Sequence, residues 1–499
     1  MESSPSAILR LLIPKTPFIL KTAVAHSLSL SHTSAKWDLR TELTVKILRD
    51  MLGPKAKPSS IEKNQKLTTK DPGVKGSVWV SKVQFPEEGA EDEVRRTVLR
   101  AVEELCMSEG SEKETWTEPA SRPLEAEWTG YRAGVNDNTL EPPNLSEADK
   151  YANILKETTS RVTVLYFHGG AMYLLDPSTY RNVTGRIAQE TGGRVFNVRY
   201  RLAPQNPFPA ALLDAFTAYL GLLYPPAGAP HAPVPASEIV FAGDSAGGML
   251  CTALLQLLLQ IHRSHNTNTN ATNDTASSKL PQVKWQGTNV PIPLPAGLAL
   301  TSPWLDTTRS LPSITSLAHY DYLPTPAQTR NMSFIPDAAW PATPPRVDLY
   351  SEGSALLHPL VSPLMARDWS GAPPVFFSVG EEMLRDEDAV VAKRMHAQGV
   401  SVVWKEFEAM PHVFAAMLGH LGAAGLHYGE MAAFCRDVVE GGIQSSAEFI
   451  RAKSLVREKK EVGEITQLSD EEVWDLCKKG KDAIVKKDGD AALEAKPML

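Results

Sequence analysis

Residues 239–261 read IVFAGDSAGGMLCTALLQLLLQI, and this stretch decides the fold. Ile239–Ala242 is short, apolar and β-branched, as a buried strand is. Ala246–Ile261 is a long apolar run with helical spacing. Between them stands Gly243-Asp244-Ser245-Ala246-Gly247, a G-x-S-x-G turn. Small residues on both sides let a backbone fold sharply from strand to helix, which presents the serine hydroxyl outward. The helix start adds partial positive charge where an oxyanion would form. A tight turn carrying an incidental serine would need none of the partners sought below.

Outward from this turn the chain keeps one rhythm. Val162–Phe167, Val195–Tyr200, Leu298–Thr301, Val375–Val379 and Val400–Phe407 also read as buried strands. Helical patterns over Pro177–Thr191, Pro207–Leu223 and Asp386–Gln398 separate most of them. Strands alternating with helices imply an α/β fold, a mostly parallel sheet covered on both faces. The regular region runs from about 156 to 445. Before it, residues 1–155 are irregular, with helices expected over Thr41–Met51 and Val94–Cys106. Ser264–Ser278 (SHNTNTNATNDTASS) is polar and of low complexity, and a mobile surface loop is expected there. Residues 305–360, rich in proline and aromatics, suit an insertion. Residues 446–499 are a charged tail in which Asp470–Val485 can form a helix.

Composition excludes several classes. The 499 residues are 42% hydrophobic and 22% charged, enough for a sizeable core. A net charge of -7 without a basic stripe argues against a nucleic-acid partner. Cys106, Cys251, Cys435 and Cys477 are far apart, fit neither a zinc site nor a disulfide framework, and suit reduced thiols in the cytoplasm or on the cytosolic face of a membrane. Ala7–Leu30 is apolar but interrupted by Arg10, Pro14, Lys15, Pro17 and Lys21. It meets neither the pattern of a spanning helix nor that of a cleavable signal peptide. It reads as a helix packed on the protein, with peripheral membrane contact as the alternative.

Acyl transfer through a serine needs oxyanion donors, a base and an acid that orients the base. His168-Gly169-Gly170-Ala171 ends the first strand of the regular series, and glycines there let main-chain N–H groups approach an oxyanion. Gly169, Gly170, Ala171 and Ala246 are the candidate donors; His168 is expected to order the loop. His412 follows the last strand, at the edge where open α/β sheets bind ligands. For the acid, Asp386 follows the strand Val375–Val379, with Glu382 and Asp388 as competitors. A helix N-cap is the plainer role for Asp386.

Together, His168–Ala171, Gly243–Gly248 (GDSAGG), Glu382–Asp386 (EMLRD) and Pro411–Phe414 (PHVF) resemble the hormone-sensitive-lipase-like branch of the α/β-hydrolases. The resemblance covers about residues 160–440. HGGAMYLLDPSTYR at 168–181 looks more narrowly like fungal steryl acetyl hydrolases and esterases of secondary metabolism. It implies Ser245 as nucleophile, Asp386 as acid and His412 as base, with Gly169, Gly170 and Ala171 in the oxyanion loop. It also implies a helical cap drawn from residues 1–155 and 305–360, and neither metal nor cofactor. Ala171 stands where many members have glycine. The expected reaction is removal of a short acyl group, acetyl, from a hydrophobic alcohol such as a sterol or secondary metabolite. Acyl transfer to another acceptor, or ligand binding without catalysis, would use the same scaffold. Trp304, Tyr320, Tyr322, Phe334 and Trp340 suggest an apolar substrate or, alternatively, the cap's own core.

Overall fold

A computed structural model of the chain describes residues 13–54, 56–106, 113–272, 280–329 and 333–489. Its strands are β1 Val78–Phe85, β2 Leu124–Tyr131, β3 Thr163–Phe167, β4 Arg194–Val198, β5 Ile239–Asp244, β6 Gln282–Trp285, β7 Thr288–Pro291, β8 Gly297–Thr301, β9 Val375–Gly380, β10 Val402–Phe407, β11 Ser446–Ile450 and β12 Arg457–Lys460. The longer helices are α1 Thr16–Ser27, α2 Leu39–Leu52, α3 Ile61–Thr68, α4 Val94–Glu104, α5 Glu147–Glu157, α6 Arg181–Thr191, α7 Ala210–Leu223, α8 Ala246–Thr272, α9 Arg385–Ala397, α10 Gly422–Glu440 and α11 Asp470–Gly489.

One 10-stranded sheet orders β1-β2-β4-β3-β5-β8-β9-β10-β11-β12. From β4 to β11 every neighbouring pair is parallel. The strands at the two edges run antiparallel. Side chains alternate across the sheet and so build two cores. On β3, Leu165 and Phe167 join one core with Leu212, Phe216, Leu250 and Leu254 of α7 and α8. Val162, Val164 and Tyr166 join the other with Ile187 of α6 and Met431 and Phe434 of α10. Continuous apolar strands result because both faces are covered.

Three expectations change. Residues 1–155 were expected to feed a cap, yet β1 and β2 extend the central sheet and α4 packs on α7 and α8. The stretch Ser264–Ser278 continues α8 as far as Thr272, and 273–278 lie outside the described residues. The buried leucines of α8 start a helix that its polar end prolongs, and Thr267 Oγ1 donates to the Arg263 carbonyl at 3.0 Å. The charged stretch from 446 is not a detached tail. β11 pairs in parallel with β10, and Val473 and Cys477 of α11 join the core. The described part of 305–360 holds two four-residue helices, Ser313–Ser316 and Pro326–Thr329, and one 3-10 turn, Gly353–Ala355, and is otherwise loop. The rest of the insertion packs through proline-rich loops.

The edge strands depend on a close contact. A Cβ on Gly221 would lie 2.1 Å from the Phe85 ring, which is itself stacked on Phe196 at 5.6 Å. Gly221→Val should therefore lower stability by about 1–3 kcal/mol through overpacking. Chemical denaturation of both proteins checks this, and an unchanged midpoint would mean that β1 does not pack on α7.

Candidate active site

Ser245 sits between β5 and α8 with φ of +52°, a left-handed backbone that non-glycine residues adopt at a cost. Neighbouring strands hold it there. Its N–H donates to the Thr301 carbonyl at 3.1 Å, and its own carbonyl accepts from Trp304 N–H at 2.9 Å. The elbow presses on the end of β3: a Cβ on Gly247 would lie 1.9 Å from the Phe167 carbonyl oxygen. Glycine is required there by space alone.

Ser245 Oγ donates to His412 Nε2 at 2.9 Å. His412 Nδ1 lies 2.7 Å from Glu382 Oε2. A carboxylate only accepts, so Nδ1 carries the proton and Nε2 is left as the acceptor for serine. Serine, imidazole and carboxylate thus stand in line at the carboxyl ends of β5, β9 and β10.

The acid differs from the expectation. Asp386 does not face His412; it accepts from Ser313 N–H at 2.9 Å and pairs with Arg385 at 3.2 Å. The reason is local. β9 ends at Gly380, so Glu382 lies in the loop directly beyond the strand, while α9 has begun by Asp386 and turns its side chain toward the insertion. Asp388, the other competitor, is fully buried, and among the described residues neither of its carboxyl oxygens has a hydrogen-bond partner. Burial, with Glu387 and Glu382 close by, pushes its carboxyl well above the usual range.

Burial alone would discourage a charge on His412, but the Glu382 carboxylate, with Asp321 and Asp244 beyond it, holds its pKa above the ordinary histidine value. Asp321 was not singled out in the sequence. Its Oδ2 accepts from Met383 N–H at 3.0 Å and its Oδ1 from His412 N–H at 3.4 Å, so one buried carboxylate of the insertion ties together the loops carrying the acid and the base. The Tyr322 ring stands 6.1 Å from the imidazole. Val413, at φ of +50°, turns the chain out of the histidine loop and donates to Ser302 Oγ at 3.3 Å.

The loop 168–171 also sorts itself. Gly169 N–H is occupied, donating to Asp244 Oδ1 and to Tyr180 Oη at 3.2 Å each. This corrects its place among the oxyanion donors. Asp244, from within G-x-S-x-G, also accepts from Tyr166 Oη at 2.7 Å and Tyr180 Oη at 2.8 Å, which pins the loop beside the nucleophile. Among the described residues no protein group accepts from the N–H of Gly170, Ala171 or Ala246. Gly170 has φ of +108° and Ala171 +51°. His168 orders the loop, as expected: its Nδ1 lies 2.7 Å from the Gly169 carbonyl, its ring stacks on Tyr200 at 4.4 Å, and burial lowers its pKa to about 4.

Elsewhere, Cys106, Glu114 and His358 bring ligand-type atoms within 4.8 Å of one another. His358 is already committed, with Nε2 3.0 Å from the Val102 carbonyl and Nδ1 accepting from Leu360 N–H at 3.0 Å. It offers no free nitrogen to a metal.

Residues 164–416 match the family model described as alpha/beta hydrolase fold. An acetyl-hydrolase of Streptomyces hygroscopicus is 30% identical over 253 residues, 50% of this chain and 68% of that protein. Lipase 2 of a Moraxella strain is 27% identical over 53% of this chain, which spans only 57% of that protein's length. Mouse hormone-sensitive lipase is 37% identical over 95 residues, 18% of this chain and 12% of that one. The crystal structure of EstE5 soaked with p-nitrophenyl butyrate superposes with a TM-score of 0.50 at 21% identity, over 80% of this chain and 99% of that one, which is a likeness of fold.

Three outcomes follow from this geometry. Glu382→Gln should reduce kcat by about two to four orders of magnitude, as removal of the charge that orients a catalytic imidazole does, while Asp386→Asn stays within a few-fold of wild type. The acid limb of kcat/KM reports His412, which must be neutral to act as base. Activity should therefore fall as pH drops through a midpoint above the usual value of about 6.5. Asp321→Asn should lower that midpoint and kcat while leaving KM unchanged; a parallel loss without movement of the pH limb would make Asp321 merely structural.

Proposed function

The chain belongs to the alpha/beta hydrolase fold family, among the carboxylic ester hydrolases related to hormone-sensitive lipase, and from that premise we propose that Ser245, His412 and Glu382 cleave a short acyl ester of an apolar alcohol. The observation that carries the reading is the unbroken line from Ser245 Oγ through His412 to Glu382, beside N–H groups that no protein group among the described residues uses.

Ser245 Oγ attacks the ester carbonyl carbon as His412 Nε2 takes its proton. Glu382 holds the imidazolium that forms. The carbonyl oxygen becomes an oxyanion and accepts from the N–H groups of Gly170, Ala171 and Ala246, each such donor being worth a few kcal/mol in the transition state. Collapse expels the alcohol, which takes the proton from His412. Water, deprotonated by the same histidine, then frees the acid from Ser245.

Three observations support a short acyl group and an apolar alcohol. The Streptomyces relative carries the name acetyl-hydrolase. Tyr322 faces His412. Phe334 packs edge-on against Tyr173, two residues past the donor loop, at 6.2 Å. The remaining aromatics of the insertion contribute to its core: Trp340 is 2% exposed, and Trp304 Nε1 donates to the Asp306 carbonyl. Steryl acetates and acetylated secondary metabolites are the substrates of choice to test.

Ser245→Ala should abolish hydrolysis of p-nitrophenyl acetate with the fold intact by circular dichroism. Wild-type kcat/KM should fall by more than about tenfold from acetyl to decanoyl p-nitrophenyl esters if the acyl pocket is short. A preference for the decanoyl ester would overturn the short-acyl assignment and leave the triad standing.

A further inference from the structure

Helix α1 leaves the apolar side chains Phe18, Leu20 and Val24 exposed. A helix on the surface of a globular protein ordinarily turns its apolar stripe inward and its charges outward. In α1 the sole buried side chain is Thr22. The helix is held to α2 by polar contacts: Lys15, just before α1, pairs with Asp50, and His26 Nδ1 lies 2.5 Å from Glu42 Oε2. Glu42 is itself buried and also accepts from Ser31 Oγ at 2.5 Å and Lys46 at 2.6 Å. Outward, Ile13, Leu20, Val24 and Leu28 are each between 58% and 63% exposed, and Leu30 is 73% exposed. Leu20, Val24 and Leu28, four residues apart, share one helical face, and Ile13 lies in the 3-10 turn Ile13–Lys15 that precedes α1.

Residues 13–37 contain Lys15, Lys21 and Lys36 and no aspartate or glutamate, in a chain whose net charge is -7. Lys15 and Lys36 are paired with Asp50 and Glu408, while Lys21 is exposed at the border of the stripe. The 12-residue helix spans about 18 Å, too short to cross a hydrocarbon core of about 30 Å. No helix among the described residues is long and apolar enough to cross a membrane.

We propose that α1 is a docking surface for a lipid bilayer, lying in the plane of the interface with Ile13, Leu20, Val24 and Leu28 among the acyl chains and Lys21 at the headgroups. Apolar side chains at the interface supply the attraction, and an unpaired lysine adds a preference for anionic lipid. The polar inward contacts then have a reason: they hold the helix on the protein without consuming the apolar residues that face the bilayer. Arg49, on the same α2 that anchors α1, donates to the carbonyls of Ala318, His319 and Asp321. The docked helix is thus tied rigidly to the insertion that contacts His412.

The test uses the full chain and vesicles of phosphatidylcholine, with or without phosphatidylserine. Wild type should cosediment with both and more strongly with the anionic ones. Leu20→Ser/Val24→Ser/Leu28→Ser should weaken binding by more than about tenfold, and Lys21→Glu should remove the preference for phosphatidylserine. All four side chains are exposed and far in sequence from the catalytic residues, so hydrolysis of soluble p-nitrophenyl acetate should be unchanged in both variants. Failure of wild type to cosediment, or equal binding by the triple variant, overturns the proposal. So does a wild-type dimer by light scattering that the triple variant loses without any vesicle binding, since a second copy then covers the stripe. Vesicle binding without ester hydrolysis would sink the catalytic reading and leave the docking surface standing.

Discussion

A serine cannot occupy left-handed backbone space at random, because its Cβ then crowds the adjacent carbonyl at a cost of about 1–2 kcal/mol. At Ser245 the surroundings impose that conformation. Its N–H is held by Thr301 of β8 and its carbonyl by Trp304 just beyond, so the elbow is locked to the neighbouring strand. Gly247 can approach the end of β3 only because it has no side chain. These contacts aim Oγ at His412 and leave the Ala246 N–H facing the same space. Without a ten-stranded sheet keeping β3, β5 and β8 in register, the turn would relax to an ordinary one.

Carboxylates do most of the remaining positioning, and burial gives each a different task. Glu382, within reach of His412, stabilises positive charge on the ring. Asp321, a residue of the insertion, accepts backbone N–H groups from both catalytic loops and adds its charge behind Glu382. Asp244 spends both oxygens on Tyr166, Tyr180 and Gly169, and so orients the oxyanion loop. Asp388, equally buried and without a hydrogen-bond partner among the described residues, has its carboxyl pushed well above the usual range by burial. Three of these acids, Glu382, Asp321 and Asp244, act on one imidazole, and the hydrogen-bond donors around each offset their mutual repulsion.

The segments on either side of the α/β core close the sheet at its edges. β1 and β2 cover the β4 edge, and β11 and β12 cover β10. The loop between α1 and α2 reaches further, since Trp37 Nε1 donates to the Ala409 carbonyl, three residues before His412. The N-terminal region therefore supports the catalytic loops directly and, through α1, presents an apolar face to whatever lies outside.

The alternation of apolar strands and helices, the G-x-S-x-G turn and the order of Ser245 before His412 were legible along the chain, because each is a local pattern of period, turn chemistry or strand end. Choosing among Glu382, Asp386 and Asp388 was not. Seven residues contain all three acids, and a shift of one helical turn separates the one beside His412 from the one beside Ser313. That choice depends on where β9 stops and α9 starts, which tertiary packing sets. Asp321 left no signal, since its partners are backbone groups of loops some 60 and 90 residues away. The spent amide of Gly169 was likewise invisible, because its acceptor comes from another strand. The sequence by itself determined the central parallel strands, the turn that carries Ser245 and the place of His412 after β10; only the folded chain decided the edge strands and which carboxylate and which amides face Ser245 and His412, because hydrogen bonds between loops depend on distances that no spacing along the chain encodes.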